Sequence, residues 1–142
     1  MGSFLLDTNV LVALTWPTHS AHAIAQHWFA KNARQGWATC PLTQCGFVRV
    51  ISNPAFSPHA LSPREALAVL STSLRHPAHT FWPADLDLVT ALNKAAKNLS
   101  GHQQITDAYL VGLAVQHKGK LATLDRGIAA WAASGSVELI TR

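Results

Sequence analysis

Three aspartates of this 142-residue chain stand where apolar runs stop. Asp7 follows Phe4-Leu5-Leu6, Asp107 follows Ile105-Thr106, and Asp125 follows Leu121-Ala122-Thr123-Leu124. A carboxylate beside a hydrophobic strand or helix is costly to desolvate and needs a cap, a partner or a cation. The chain has seven Asp and Glu against eleven Lys and Arg, so these positions hold a large share of its negative charge. Separated oxygen donors suit a hard divalent cation, and such a site performs metal-assisted hydrolysis. Each acid also has an ordinary explanation. Asp7 can cap a helix, Asp107 can be a first-turn acid, and Asp125-Arg126-Gly127 can be a turn. Their joint placement favours a site.

Other metal chemistries find less support. The histidines at 19, 22, 27, 59, 76, 79, 102 and 117 form neither H-x-x-x-H nor H-E-x-x-H. Cys40 and Cys45 lack the second pair a zinc site needs, so buried free thiols in a reducing cytosol are expected. Trp16, Trp28, Trp37, Trp82 and Trp131 are too dispersed for a base-stacking platform and are expected in core or interface packing. Trp28 and Phe29 are candidates to face a partner. Asp85, Asp87, Glu65 and Glu138 are expected as caps or on solvated faces.

The formal charge of +4 comes from scattered Lys and Arg. A basic body around an acidic pocket suits a polyanionic substrate. With 49% hydrophobic and 13% charged residues, the chain is expected to fold as one domain over residues 1–142. The Pro- and Ser-rich stretch from Asn53 to Pro63 is too short to divide it. The apolar N-terminus has no basic lead-in and is interrupted by Asp7, and no stretch is long enough to span a bilayer. A cytoplasmic protein is expected.

The elements that must position the acids alternate. Strands are expected at Ser3–Leu6, Trp37–Cys40, Thr80–Trp82, Lys120–Leu124 and Val137–Ile140. Helices are expected from Thr8, over His19–Arg34, and from Pro41 to about Ile51. Ser62-Pro63-Arg64-Glu65 is a capping box opening a helix that ends near Arg75. Asp85 is expected to cap a helix through Asn98, and another covers Gln104–Lys118. This alternation predicts an α/β layer fold with a mainly parallel sheet, which places ligands at the carboxyl ends of its strands. Asp7 and Asp125 lie at two such ends.

Leu5-Leu6-Asp7-Thr8-Asn9, Cys40-Pro41-Leu42-Thr43-Gln44 with Ser52-Asn53-Pro54, Thr106-Asp107-Ala108-Tyr109-Leu110, and Leu121-Ala122-Thr123-Leu124-Asp125, in that order, resemble the motifs of PIN-domain ribonucleases. Within these the chain resembles the VapC-type toxins of bacterial toxin–antitoxin pairs, across essentially its whole length. The resemblance implies a three-layer α/β/α fold with strand order 3-2-1-4-5. It also implies a Mg²⁺- or Mn²⁺-dependent endoribonuclease, a homodimer, silenced by a small VapB-like antitoxin. By motif position, Asp7 and Asp107 become direct metal ligands, and Asp125 acts through water as the third acid. Asn9, Thr106 and Thr123 become donors that orient the acids. Arg49 and Arg126 become phosphate contacts.

Two positions depart from the family pattern. Gln44 stands where a catalytic Glu is usual, and Gly127 stands where many relatives carry another acid. Gln offers a carbonyl oxygen but neither charge nor basicity, so a single ion rather than two is expected. The leading expectation is a ribonuclease toxin acting on a structured RNA. The alternative is a catalytically weakened PIN module that binds RNA or a protein without cleavage. A phosphotransferase using Asp7 as nucleophile is a third reading, but its usual D-x-D is interrupted by Asn9.

Overall fold

Five short strands, each followed or preceded by helix, form one parallel sheet in the computed structural model, which describes residues 3–99 and 101–141. The chain runs β1 (Phe4–Leu6), α1 (Thr8–Thr15), α2 (His22–Asn32), β2 (Trp37–Thr39), α3 (Pro41–Ile51), α4 (Pro63–Ser73) and β3 (His79–Phe81). It continues through α5 (Leu88–Ala95), α6 (Ile105–Gln116), β4 (Lys120–Thr123), α7 (Arg126–Trp131) and β5 (Val137–Leu139). The order across the sheet is β3-β2-β1-β4-β5, the order the resemblance implied. Every neighbouring pair is parallel.

The strands are hydrophobic on both sides because helices cover both faces. Side chains alternate across a strand. Phe4 and Leu6 therefore join Trp37 and Ala122 in one core, while Leu5 joins Ala38 and Leu121 in the other. The first core is closed by α1 to α4 through residues such as Val10, Trp28, Phe47 and Leu70. The second is closed by α5, α6 and α7 through Ala91, Val111 and Ile128. Residues Ala108 to Ala114 of α6 are all buried, so this helix lies within the layer rather than on its surface. Its glycine explains how closely α5 approaches: a Cβ at Gly112 would stand 2.1 Å from the Ala91 carbonyl oxygen.

Local chemistry shifts several boundaries. The Ser62–Glu65 capping box forms, with Glu65 N–H donating to Ser62 Oγ at 3.1 Å and Ser62 N–H to Glu65 Oε1 at 2.8 Å. The α5 cap is Asp87 rather than Asp85, because Thr90 N–H and Oγ both find Asp87 at 3.0 and 2.8 Å. That helix stops at Ala95, short of Asn98. The helix expected from His19 begins at His22, since His19 turns back to accept the Ala21 N–H. The six residues of α7 were expected only as a turn. Asp125 seeds them by accepting the Gly127 N–H, and six residues are too few to show a helical period.

Three side-chain expectations are corrected. Trp28 is buried edge-on against Phe4, with ring centroids 5.0 Å apart, so it does not face a partner. Its indole N–H donates to Glu138 Oε2 at 3.0 Å, which takes Glu138 off the purely solvated face. Phe29 packs half-buried against Trp37 and His76. Cys40 is buried as a free thiol, but Cys45 is exposed, because it lies on the outer side of α3. Among the described residues no helix is long and apolar enough to cross a membrane.

Candidate active site

The carboxyl ends of β1 and β4 lie side by side. Leu6 pairs with Ala122, and the Asp7 N–H donates to the Ala122 carbonyl at 2.9 Å. That register brings the residue after β1 to the last residue of β4. Thr123 Oγ donates to Asp7 Oδ2 at 2.7 Å. The same hydroxyl oxygen accepts from Asn9 Nδ2 at 3.3 Å and from the Asp125 N–H at 3.1 Å. Asn9 Oδ1 accepts the Leu124 N–H at 3.3 Å, so its amide bridges the two strand exits. Asp7 Oδ1 accepts the Thr8 N–H at 2.8 Å and caps α1. Capping and a site role are therefore compatible in Asp7, because a carboxylate has more lone pairs than these two bonds use.

Asp107 reaches the same place from the first turn of α6, and Asp125 from the start of α7. All three acids line one cleft of about 320 Å³. Among the described residues no Lys or Arg lines it. The carboxylates respond to this crowding. Burial pushes Asp107 up to about 6, reinforced by the charges of Asp7 and then Asp125. Burial also raises Asp7, against the hydrogen bonds from Thr123 and Thr8 that favour its ionised form, and Asp125 raises it further. Two neighbouring acids, Asp7 and Asp107, held above their ordinary range in one cleft are a common signature of functional sites.

The other residues singled out from the sequence are placed unevenly. Gln44 does not line the cleft. Its Nε2 donates to Thr39 Oγ at 3.0 Å, and Thr39 Oγ lies 2.8 Å from His79 Nε2. Burial holds His79 below the ordinary histidine range, which fits a neutral ring accepting the Thr39 hydroxyl. Thr106 is exposed and makes no side-chain hydrogen bond among the described residues. Arg49 and Arg126 are exposed and outside the cleft. Arg126 lines a neighbouring crevice with Leu124 and Ile140. Gly127 gives its N–H to Asp125 Oδ1 at 2.7 Å, and a Cβ there would stand 3.0 Å from that oxygen.

Five of the eleven Lys and Arg stand away from the acids. Lys31 and Arg34 precede β2, Arg75 precedes β3, and Lys118 and Lys120 flank the start of β4. They collect at the amino end of the sheet, opposite the acids. Two residues that sequence reasoning passed over, His19 and Phe56, line the cleft. Both sit in loops, where no periodicity marks them.

The donor set fits a hard divalent cation in one specific sense. Its charged donors are carboxylate oxygens, and among the described residues no Lys or Arg lining the cleft balances them. Among the described residues, however, no group of three or more His, Cys, Asp or Glu is gathered tightly enough to hold an ion by itself. Asp125 spends one oxygen on its own helix start. Mg²⁺ is usually held by one or two carboxylates, with waters and substrate phosphate completing the shell. An open arrangement of this kind is what such an ion takes.

Fold and cleft together define a class, and sequence comparison names it: the chain belongs to the PIN-domain family, whose model matches residues 4–133. Within that family it is similar to ribonuclease VapC39 of Mycobacterium tuberculosis, 40% identical over 136 residues that cover 96% of this chain and 98% of that protein. It is also similar to ribonuclease VapC38 of the same organism, 43% identical and covering 87% of this chain and 86% of the other. The fold matches the solved structure of VapC20 from M. tuberculosis, a Sarcin-Ricin loop cleaving toxin. That match has a TM-score of 0.68 at 16% identity and covers 98% of this chain and 100% of that one. A chain of the solved structure of DNA-bound VapBC from Salmonella typhimurium matches with a TM-score of 0.63 at 11% identity, covering 99% of this chain and 100% of that one.

Proposed function

We propose that this protein is a Mg²⁺- or Mn²⁺-dependent endoribonuclease, the toxin of a toxin–antitoxin pair, and that it cuts a structured RNA. One observation carries the reading: Asp7, Asp107 and Asp125, from three separate elements, line a single cleft that no Lys or Arg among the described residues enters. The ribonuclease names of relatives about 40% identical over most of the chain support the same activity. The VapBC assembly among the fold neighbours supports an antitoxin partner of VapB type. A homodimer and a cytoplasmic setting belong to the proposal as well.

Asp7 and Asp107 would hold the ion, and Asp125 would reach it through water. When bound, the ion supplies positive charge for the phosphate and lowers the pKa of water at neutral pH. The chain's own residues do the rest. Thr123 and Asn9 hold Asp7 and the Asp125 backbone in place, as oriented partners do around ligating carboxylates. Asp107 must lose its proton to take part, and its raised value sets that step near pH 6. Arg126, beside Asp125 in sequence, and Arg49, beside Val50, are the candidates for backbone phosphates outside the cleft.

Incubation of purified protein with total RNA and Mn²⁺, with and without EDTA, tests the reading. Cleavage that EDTA abolishes is expected. Failure to cleave at high enzyme concentration favours the alternative of a binding module weakened at Gln44, whose neutral side chain is tied to Thr39.

A further inference from the structure

The acid cleft has a second wall with different chemistry. Besides the carboxylates, its lining includes Val12 of α1, His19, Val50 of α3 and Phe56. We propose that this wall is a nucleobase subsite, which takes one unstacked base next to the phosphate being cut. The inference rests on the ribonuclease reading and specifies which part of the substrate that cleft recognises.

His19 carries a defined hydrogen-bond polarity. Its Nδ1 accepts the Ala21 N–H at 3.0 Å. A backbone N–H can only donate, so Nδ1 is bare and the proton of the neutral ring sits on Nε2. Among the described residues Nε2 has no protein partner. Among the other polar side chains of the cleft, Asn9 spends its amide oxygen and one of its two amide hydrogens between the strand exits, and the Thr8 hydroxyl lies against Gly46. His19 Nε2–H is thus a donor of fixed polarity available to an acceptor atom on a base edge.

Phe56 supplies the stacking surface. It is held in a turn by its N–H to the Asn53 carbonyl at 2.9 Å. Trp16 braces the ring from one side, edge-on, at 5.1 Å and 68°. The ring is half-buried rather than sunk in the core. Val12 and Val50 complete an apolar floor. A cleft of about 320 Å³ accommodates a splayed nucleotide, not a duplex. Sequence-specific RNA recognition works in this way, with unstacked bases laid on aromatic rings and read at their edges.

The test is to cut total bacterial RNA with the full-length protein and Mn²⁺, and to map the cut positions by sequencing the new ends. Wild type is compared with His19→Ala, His19→Gln, Phe56→Leu and Phe56→Tyr. Phe56→Leu keeps apolar volume against Trp16 and removes the aromatic face. The wild type is expected to show a base preference beside the cut. His19→Ala and Phe56→Leu flatten it and raise KM roughly ten- to a hundred-fold. His19→Gln and Phe56→Tyr recover much of the preference, and Mn²⁺ affinity stays unchanged in all four. A purely structural role would move Mn²⁺ affinity and the melting temperature together with KM. Unchanged base frequencies in His19→Ala and Phe56→Leu, with wild type still cutting, overturn the subsite alone. A wild type that cuts no RNA overturns the ribonuclease reading and the subsite with it.

Discussion

Thr123, the last residue of β4, gives its hydroxyl hydrogen to Asp7 Oδ2, just past the end of β1, at 2.7 Å. Both side chains are buried, Thr123 completely and Asp7 to 6% exposure. Parallel pairing of β1 with β4 makes this contact possible, and through it the sheet register aims the carboxylate.

Removing that hydroxyl tests its role. Thr123→Val keeps the shape but leaves Asp7 Oδ2, Asn9 Nδ2 and the Asp125 N–H without their shared partner. A loss of about 1–3 kcal/mol is expected in urea unfolding, with a fall of roughly 10–100-fold in cleavage. Thr123→Ser should recover most of both. An unchanged urea midpoint in the Val variant would remove Thr123 from the site's support.

Asp107 imposes a pH dependence of definite sign. Its carboxyl lies at about 6 in the folded protein against the ordinary 3.8. The native state thus binds this proton more tightly than the unfolded chain. The resulting stability is fully present below about pH 4 and is lost as pH rises through about 6. Asp7, also raised, acts in the same direction. The metal-free protein should therefore melt lower at neutral pH than at mildly acidic pH. Asp107 is partly exposed, so screening keeps the effect small. Asp107→Asn should raise the metal-free melting temperature at neutral pH by about 2–4 °C. Added Mn²⁺ should stabilise the wild type and not the variant. A wild type that becomes more stable from pH 4 to 7 without metal would contradict this.

Gln44 is placed to answer to His79 through Thr39. The Gln44 amide donates to the Thr39 hydroxyl, which leaves that hydroxyl's hydrogen for His79. Glutamate cannot donate. In Gln44→Glu the Thr39 hydrogen turns to the new carboxylate, and His79 must then supply the next one. The His79 pKa should rise, by about 1 unit for a neighbouring opposite charge, in an NMR titration. An unmoved His79 would mean that the chain Gln44–Thr39–His79 does not persist in solution.

Much of this architecture is legible in the residues. Apolar triplets ending in Asp or Thr mark β1 and β4, and the acids stand at strand ends where parallel sheets bind ligands. Thr123 sits beside them as the expected donor to Asp7, whereas Asn9 donates to Thr123 instead of to an acid. What escaped detection is local or loop-borne. Six-residue α7 is too short for a period, and Asp87 rather than Asp85 caps α5 because Thr90 is spaced to answer it. His19 and Phe56 reach the cleft only through the tertiary path of their loops. Thr106 stands next to Asp107 in sequence but on the outward side of α6. The order 3-2-1-4-5 came from family resemblance, since periodicity alone does not order strands.

Gly112 reports on the packing that sets Asp107. A Cβ there would meet the Ala91 backbone oxygen at 2.1 Å, and backbone cannot swing aside as a side-chain tip can. Gly112→Ala should force α5 and α6 apart and cost about 1–3 kcal/mol or more, read from thermal unfolding. A fully stable variant would show that the two helices are not in such close contact.

Metal binding at the three aspartates is tested most directly by titrating Mn²⁺ into the full-length protein at neutral pH by calorimetry, with RNA cleavage followed in parallel. Wild type and Asp85→Asn should bind and cut alike. Asp7→Asn and Asp107→Asn should remain folded, lose the binding isotherm and lose cleavage. Undiminished Mn²⁺ binding in both of these variants, or cleavage that survives EDTA, would contradict it.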